Sequence, residues 1–168
     1  CGYYVQKEVP WVVSDKIIKI TLPKDESPIK IKLNEKSKNL VGSAEQGFLQ
    51  LVKNENLKGK FQAITPCFRN DESDELHQNF FMKNELFWNK DVSESKLQLV
   101  ISDALDFFSK YLKVEVVQME NCSYDIVDSK FKIELGSYGI RKHWGLGSWI
   151  YGTGLAEPRL SIVLNKLY

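Results

Sequence analysis

Residues 67–88 read Cys67-Phe68-Arg69-Asn70-Asp71-Glu72-Ser73-Asp74-Glu75-Leu76-His77-Gln78-Asn79-Phe80-Phe81-Met82-Lys83-Asn84-Glu85-Leu86-Phe87-Trp88. An apolar strand over 60–68 ends in an arginine, a polar acidic turn covers 70–75, and an aromatic-rich strand runs over 79–88. An arginine at a strand end, facing a returning strand that carries phenylalanine, can cradle a nucleotide. The guanidinium takes a phosphate in bidentate fashion, and an aromatic ring covers a purine face. Alone, such an arginine is more often a surface charge.

A second arginine-bearing segment lies near the end of the chain: Gly152-Thr153-Gly154-Leu155-Ala156-Glu157-Pro158-Arg159. It runs from an extended stretch into a helix. Its glycines permit close approach of a ligand to the strand, and Arg159 projects from the first helical turn, where the dipole favours anions. Alone, a Gly-x-Gly before a helix is ordinary turn chemistry.

Between and around these segments, residues 3–13 read as extended, with Pro10 interrupting. Residues 16–22 alternate as a strand that places Ile18, Ile20 and Leu22 on one face. A proline-bounded turn at 23–28 leads to a strand at 29–33, expected to pair with the preceding one as a hairpin. Residues 43–52 form a helix capped by Ser43. Residues 93–112 form the clearest helix, capped by Ser93, with Leu97, Val100, Ile101, Ala104, Leu105, Phe108 and Leu112 in one stripe. Strands follow at 114–119 and 130–135, then a glycine-punctuated loop at 136–147 and a short extended piece at 149–154. A terminal helix covers 158–167, with Pro158 in its first turn. The expected class is α+β, an antiparallel sheet flanked by helices.

The 168 residues fit one domain, 1–168, and 43% hydrophobic content excludes wholesale disorder. A net charge of +1 excludes a strongly basic nucleic-acid scaffold. No apolar run reaches the roughly 20 residues that cross a bilayer. The chain opens on Cys1 rather than methionine, which suggests a trimmed start, and no signal peptide is expected. Cys1, Cys67 and Cys122 are too scattered for a disulfide framework or a zinc cluster, so reduced thiols in a cytoplasmic protein are expected.

Taken together and in this order, the two arginine segments resemble motifs 2 and 3 of the class II aminoacyl-tRNA synthetase catalytic core. Phe68-Arg69-Asn70-Asp71, His77, Phe81 and Glu85 resemble F-R-x-E…H-x-x-x-F…E, and residues 152–159 resemble G-x-G-x-x-x-x-R. Residues 2–10 look like the strand half of motif 1, which ends in a proline. Finer features point to the seryl, prolyl, threonyl and histidyl subgroup. Ser43-Ala44-Glu45 sits where that subgroup has T-x-E. Tyr124-Asp125-Ile126, followed by Glu134 and Ser137, is similar to seryl enzymes, and 152–156 is close to the seryl G-S-G-L-A.

The resemblance implies formation of an aminoacyl adenylate from an amino acid and ATP with Mg²⁺, then transfer to tRNA or another acceptor. It gives Arg69 and Arg159 the catalytic roles. Arg69 would hold the α-phosphate and the attacking carboxylate, Phe81 would stack on adenine, and Arg159 would hold the γ-phosphate. Gly154 joins the ATP site. Glu134 and Ser137 would bind Mg²⁺. Glu45, with Ser43 and Ser137, would hold the amino acid, Glu45 taking its ammonium group.

Each residue also has a plainer reading. Phe81 lies among Phe80, Met82 and Phe87 and is equally a core side chain. Glu45 is equally an acid in the first turn of its helix. His77 either guides the motif 2 loop or caps a strand. Arg141 and His143 lie in the glycine-punctuated loop, where they either touch substrate or, by default, belong to the surface. Trp144 and Trp149 line the pocket or close the core.

Departures from the family pattern bear on partners. Asp71 replaces Glu, and Asn79-Phe80 replaces Pro-Glu. The motif 2 loop is short, which leaves little protein to reach a tRNA. The helix before motif 1 is missing, which puts a homodimer in doubt. No anticodon-binding or editing domain is expected. The small size and the substitutions at Asp71 and Phe80 favour the alternative, a non-catalytic regulatory or amino-acid- or nucleotide-binding subunit of the same fold.

Overall fold

Two hydrophobic clusters divide the molecule, and consecutive residues of single strands fall into different ones. Phe87 and Trp149 belong to the first, while their neighbours Leu86 and Ile150 belong to the second. The strands therefore form one sheet buried on both faces, with side chains alternating between them.

The computed structural model describes residues 3–23, 26–33, 36–70 and 74–167. In chain order the elements are β1 (Val5–Gln6), β2 (Val12–Val13), α1 (Asp15–Thr21), β3 (Lys30–Leu33), β4 (Lys36–Leu40), α2 (Ala44–Glu55), β5 (Lys60–Phe68) and β6 (Phe80–Trp88). They continue with α3 (Glu94–Phe108), β7 (Val114–Gln118), a 3₁₀ turn (Glu120–Cys122), β8 (Tyr124–Asp128), β9 (Glu134–His143), β10 (Gly147–Ala156) and α4 (Arg159–Leu167). The main sheet has seven strands in the order β1-β5-β6-β10-β9-β8-β7. Its neighbours pair antiparallel except β1, which runs parallel to β5 at the edge. The α+β class holds. No helix among the described residues is long and apolar enough to cross a membrane.

One face of the sheet carries α1 and α2. Phe48 of α2 stacks on Phe87 of β6 at 4.7 Å, and Ile17, Ile18, Leu49 and Trp149 close the cluster. The other face carries α3 and α4, with Leu97, Val100, Ile101 and Phe108 against Tyr138 and Ile150. Burying each such side chain contributes about 1.5–3 kcal/mol. The helix ends have visible causes. Ser43 Oγ accepts from the Glu45 amide at 3.1 Å, and Asn56 closes α2 in a left-handed conformation. Ser93 Oγ accepts from the Lys96 amide at 3.3 Å to start α3.

Four local expectations are corrected. Residues 16–22 are not a strand: Asp15–Thr21 is helical, and Ile17 and Ile18 are both buried against α2. Isoleucines at 17, 18 and 20 suit either period, and their β-branching favoured the wrong one. The strand at 30–33 consequently pairs with β4 rather than with 16–22.

The strand expected at 130–135 is largely a turn, and the real strand is β8, just before it. Asp128 is buried and its carboxylate accepts from the amides of Lys130, Phe131 and Ile133, which wraps the chain around it. The loop expected at 136–147 is mostly strand β9, paired in register with β10. Its Gly139 is there for space: a Cβ would lie 2.7 Å from the hydroxyl of Tyr151, which leans across from β10.

Candidate functional site

Alternation along β6 puts Phe81, Lys83, Glu85 and Phe87 on the face that carries α2. Phe87 is taken by the Phe48 stack, so the first three are left beside the N-terminus of the helix. A cavity of about 290 Å³ opens there. Phe81, Lys83 and Glu85 line it, together with Ser43 and Glu45 from α2, Arg69 beyond β5, Glu134, Ser137 and Arg141 from β9, Tyr151 and Thr153 from β10, and Arg159 of α4. Gln46 of α2 closes the corner by accepting from the Gly42 amide at 2.8 Å.

Arg69 follows the last residue of β5, and its amide donates to the Asn79 carbonyl, just before β6, at 3.0 Å. Its Nε donates to the Gly42 carbonyl at 3.3 Å, and its guanidinium lies 5.2 Å from the centre of the Phe81 ring. Phe81 is half-buried beside that cation, on the cavity wall rather than in either hydrophobic cluster. Asp71 lies outside the described residues, as do Cys1 and Gly2 of the motif 1 stretch. His77 pairs with Asp74 in the exposed turn at 2.9 Å.

Glu85 is the buried charge at the centre, 1% exposed. Oε2 accepts from Lys83 Nζ at 2.9 Å and from Ser43 Oγ at 2.7 Å. Oε1 is buried with no hydrogen-bond partner. An ionised oxygen in that state costs free energy until a donor reaches it.

Glu45 behaves differently from expectation. It is 3% exposed, and both of its oxygens are already engaged: Oε1 accepts from Trp149 Nε1 at 2.6 Å, and Oε2 pairs with Arg141. Burial pushes its carboxyl up from the usual range, against the pull of Arg141. The expectation that Glu45 stands open to an ammonium group is therefore corrected: neighbours on β9 and β10 satisfy it. Ser43 serves as helix cap and as donor to Glu85.

Arg159 reaches from the first residue of α4 to Glu134. Nη1 lies 2.8 Å from Oε1 and also donates to the Glu134 carbonyl at 3.3 Å. Behind this pair, Asp125 and Ser137 face each other in the β8–β9 register. Burial raises the Asp125 carboxyl and Glu134 raises it further, while a hydrogen bond with Ser137 and the nearby Arg159 pull it down. Among the described residues no group of three His, Cys, Asp or Glu side chains could form a cage for a metal. Asp125, Glu134 and Ser137 do offer two carboxylates and a hydroxyl, hard donors of the kind Mg²⁺ takes when phosphates and water fill its remaining positions.

Gly154 is corrected too. It does not line the cavity, and a Cβ there would meet the Asn84 amide at 2.7 Å. The missing side chain makes room for protein packing beside a bulge between Thr153 and Leu155, not for a ligand. The Thr153 carbonyl at that bulge accepts from the buried Tyr138 hydroxyl at 2.5 Å. Trp149 closes the core and holds Glu45, whereas Trp144 is exposed at the hairpin tip beside His143.

The sequence reading passed over Lys83, which could have been found, since Phe81-x-Lys83-x-Glu85 is a period-two pattern on a strand. Arg141, read as a loop residue with the surface as its default, instead lies on strand β9 and lines the cavity.

No family model matches the chain, and no curated protein matches it. Solved structures do. A pyrrolysyl-tRNA synthetase of Desulfitobacterium hafniense, PylSc, superposes with a TM-score of 0.75 at 15% identity, over 97% of this chain and 63% of that one. A second structure of that organism's pyrrolysyl-tRNA synthetase gives 0.73 at 17% identity, over 97% and 64%. A cytoplasmic serine-tRNA ligase from Naegleria fowleri, in complex with AMP, gives 0.74 at 15%, over 93% and 43%. The fold is thus that of class II synthetase catalytic domains, and the chain spans less than two thirds of the length of these neighbours.

Proposed function

We propose that this chain activates an amino acid by adenylation: the α-carboxylate attacks the α-phosphorus of ATP, an aminoacyl adenylate forms, and pyrophosphate leaves. The observation that carries the reading is the unpartnered, buried Glu85 oxygen on the wall of a cavity that also holds Arg69 and Arg159. A zwitterion and a polyphosphate supply what those groups lack. The ammonium donates to Glu85 Oε1, the α-carboxylate and α-phosphate share Arg69, and adenine lies on Phe81. Arg159 exchanges Glu134 for an outer phosphate.

The attacking carboxylate is already ionised, so no general base is needed. Catalysis is positioning plus neutralisation of like charges by fixed cations. A magnesium ion, when bound, offsets charge on the phosphates, and Asp125, Glu134 and Ser137 are the residues that would hold it. Glu85 and Lys83 hold the amino acid oriented. Transfer from the adenylate to a tRNA or another acceptor completes the proposed reaction, and the seryl-type subgroup enters the proposal as a likeness of motifs that leaves the amino acid open.

One observation favours the second reading, a non-catalytic amino-acid- or nucleotide-binding subunit: Glu45 is saturated by Arg141 and Trp149. Pyrophosphate exchange separates the two. The purified chain is incubated with ATP, Mg²⁺, labelled pyrophosphate and each amino acid in turn, and ATP binding is measured by calorimetry. Exchange with an amino acid supports adenylation. Binding without exchange supports the second reading, and neither binding nor exchange overturns both. Arg159→Ala is expected to abolish ATP binding with a stability loss of only about 0–1 kcal/mol, because its partner Glu134 is 40% exposed.

A further inference from the structure

The end of the cavity away from Arg159 holds a guanidinium that the reaction as proposed does not use. Arg141 projects from β9 into the cavity, with 39% of its side chain accessible. Two contacts fix it. Nη1 pairs with the buried Glu45, and the guanidinium carbon sits 4.1 Å from the centre of the Tyr151 ring. Glu45 is itself held by Trp149, and Tyr151 by the space Gly139 leaves. The planar fork is therefore oriented before any ligand arrives. Glu45 is its one hydrogen-bond partner among the described residues, so the other N–H groups of this cavity-lining side chain have no protein acceptor there.

Pairing decides what belongs there. At this end Arg141 pairs with Glu45 and Lys83 with Glu85. On the proposed reading the α-carboxylate and α-phosphate share Arg69 and the α-ammonium takes the free Glu85 oxygen, so the side chain alone is left to meet the guanidinium edge of Arg141. A basic side chain brings a second cation to that edge, and an aliphatic one leaves guanidinium donors desolvated and unpaired. A side-chain carboxylate supplies the missing acceptors, because its two oxygens match the fork geometry of arginine.

We propose that Arg141 is the specificity-determining residue of the site and that the activated amino acid carries a short acidic side chain, its carboxylate seated on the guanidinium edge that Glu45 leaves free. The inference rests on the adenylation reading and adds the substrate class to it.

The test measures amino-acid binding by calorimetry with a non-hydrolysable ATP analogue present, and pyrophosphate exchange, across all common amino acids. Aspartate or glutamate is expected to exceed its amide isostere by at least about tenfold, the discrimination of one charge-assisted hydrogen bond. Arg141→Lys retains a cation for Glu45 and is expected to lower kcat/KM for the acidic amino acid by about 10–100-fold, with the KM for ATP unchanged. The double variant Glu45→Gln/Arg141→Gln removes both partners of the ion pair together, so no unpaired charge is left buried, and it is expected to lose the preference for acid over amide. Preference of the parent for a neutral or basic amino acid overturns the side-chain assignment and leaves adenylation standing. An acidic preference that survives in both variants also overturns the role of Arg141. Neither binding nor exchange with any amino acid, with ATP also unbound, overturns both readings.

Discussion

Trp149→Phe removes one donor from a charge that has few others. Trp149 is 1% exposed and its indole Nε1 lies 2.6 Å from Oε1 of Glu45, itself 3% exposed. A hydrogen bond to a charged group contributes about 1.5–3 kcal/mol. The smaller ring leaves a void that adds on the order of 1 kcal/mol. The expected loss is thus about 2.5–4 kcal/mol, a large share of the ~5–15 kcal/mol typical of a domain. For a chain of this length it lowers Tm by roughly 5–16 °C.

The loss has a pH signature. Burial already holds the Glu45 carboxyl above its ordinary range. Without the indole donor the ionised form is less favourable still, so its folded value rises further. The penalty is full above that raised value and shrinks as pH falls through it, where the carboxyl binds a proton in both proteins. Thermal and urea unfolding of Trp149→Phe, Glu45→Gln and the double variant, from pH 4 to 8, measures this. A coupling of at least about 1 kcal/mol at neutral pH is expected between the two sites. Strict additivity, or a Trp149→Phe loss below about 1 kcal/mol that does not vary with pH, refutes the account of Glu45 as a carboxylate dependent on its neighbours.

Tyr138→Phe leaves the Thr153 carbonyl at the β10 bulge without its donor and is expected to cost about 1–3 kcal/mol by chemical denaturation. Phe48→Ala empties the centre of the first cluster, where the ring stacks on Phe87, and is expected to cost about 3–5 kcal/mol. Cys67 is fully buried and burial pushes its thiol up to about 11, whereas Cys122 is exposed. Peptide mapping after maleimide treatment should find Cys122 labelled in the native protein and Cys67 only after unfolding. Glu134→Gln removes a negative neighbour from Asp125, so the Asp125 carboxyl should titrate lower than in the parent, as followed by carboxyl-carbon NMR.

Where one periodicity dominated, the chain could be read directly. The β5–β6 hairpin and α3 follow from alternation and from a capped apolar stripe, and both stand within a few residues of their expected bounds. Reading failed where local chemistry and tertiary packing disagree. Glycines at 136, 139 and 145 look like loop punctuation, yet Gly139 is a strand residue whose missing side chain admits Tyr151. The Asp128 turn was invisible because one carboxylate, not a glycine or proline, bends the chain. Residues 15–21 are too short for period to outweigh the strand preference of isoleucine.

The same division separates the two ends of the candidate site. Arg69, Phe81 and Arg159 sit at junctions of strand and turn or strand and helix, where residue type and position suffice to aim a side chain. Glu45 and Arg141 are 96 residues apart in sequence, and neither has a local reason to point at the other. Their pairing depends on β9 lying beside β10, which puts Arg141 opposite Trp149 in register, and on α2 presenting Glu45 to both. A linear motif can therefore describe the end that holds Arg69 and Arg159. The end that holds Arg141 is assembled by sheet register, so on the proposed reading substitutions at Gly139, Tyr151 or Trp149 should alter selectivity while leaving Arg69 and Arg159 in place.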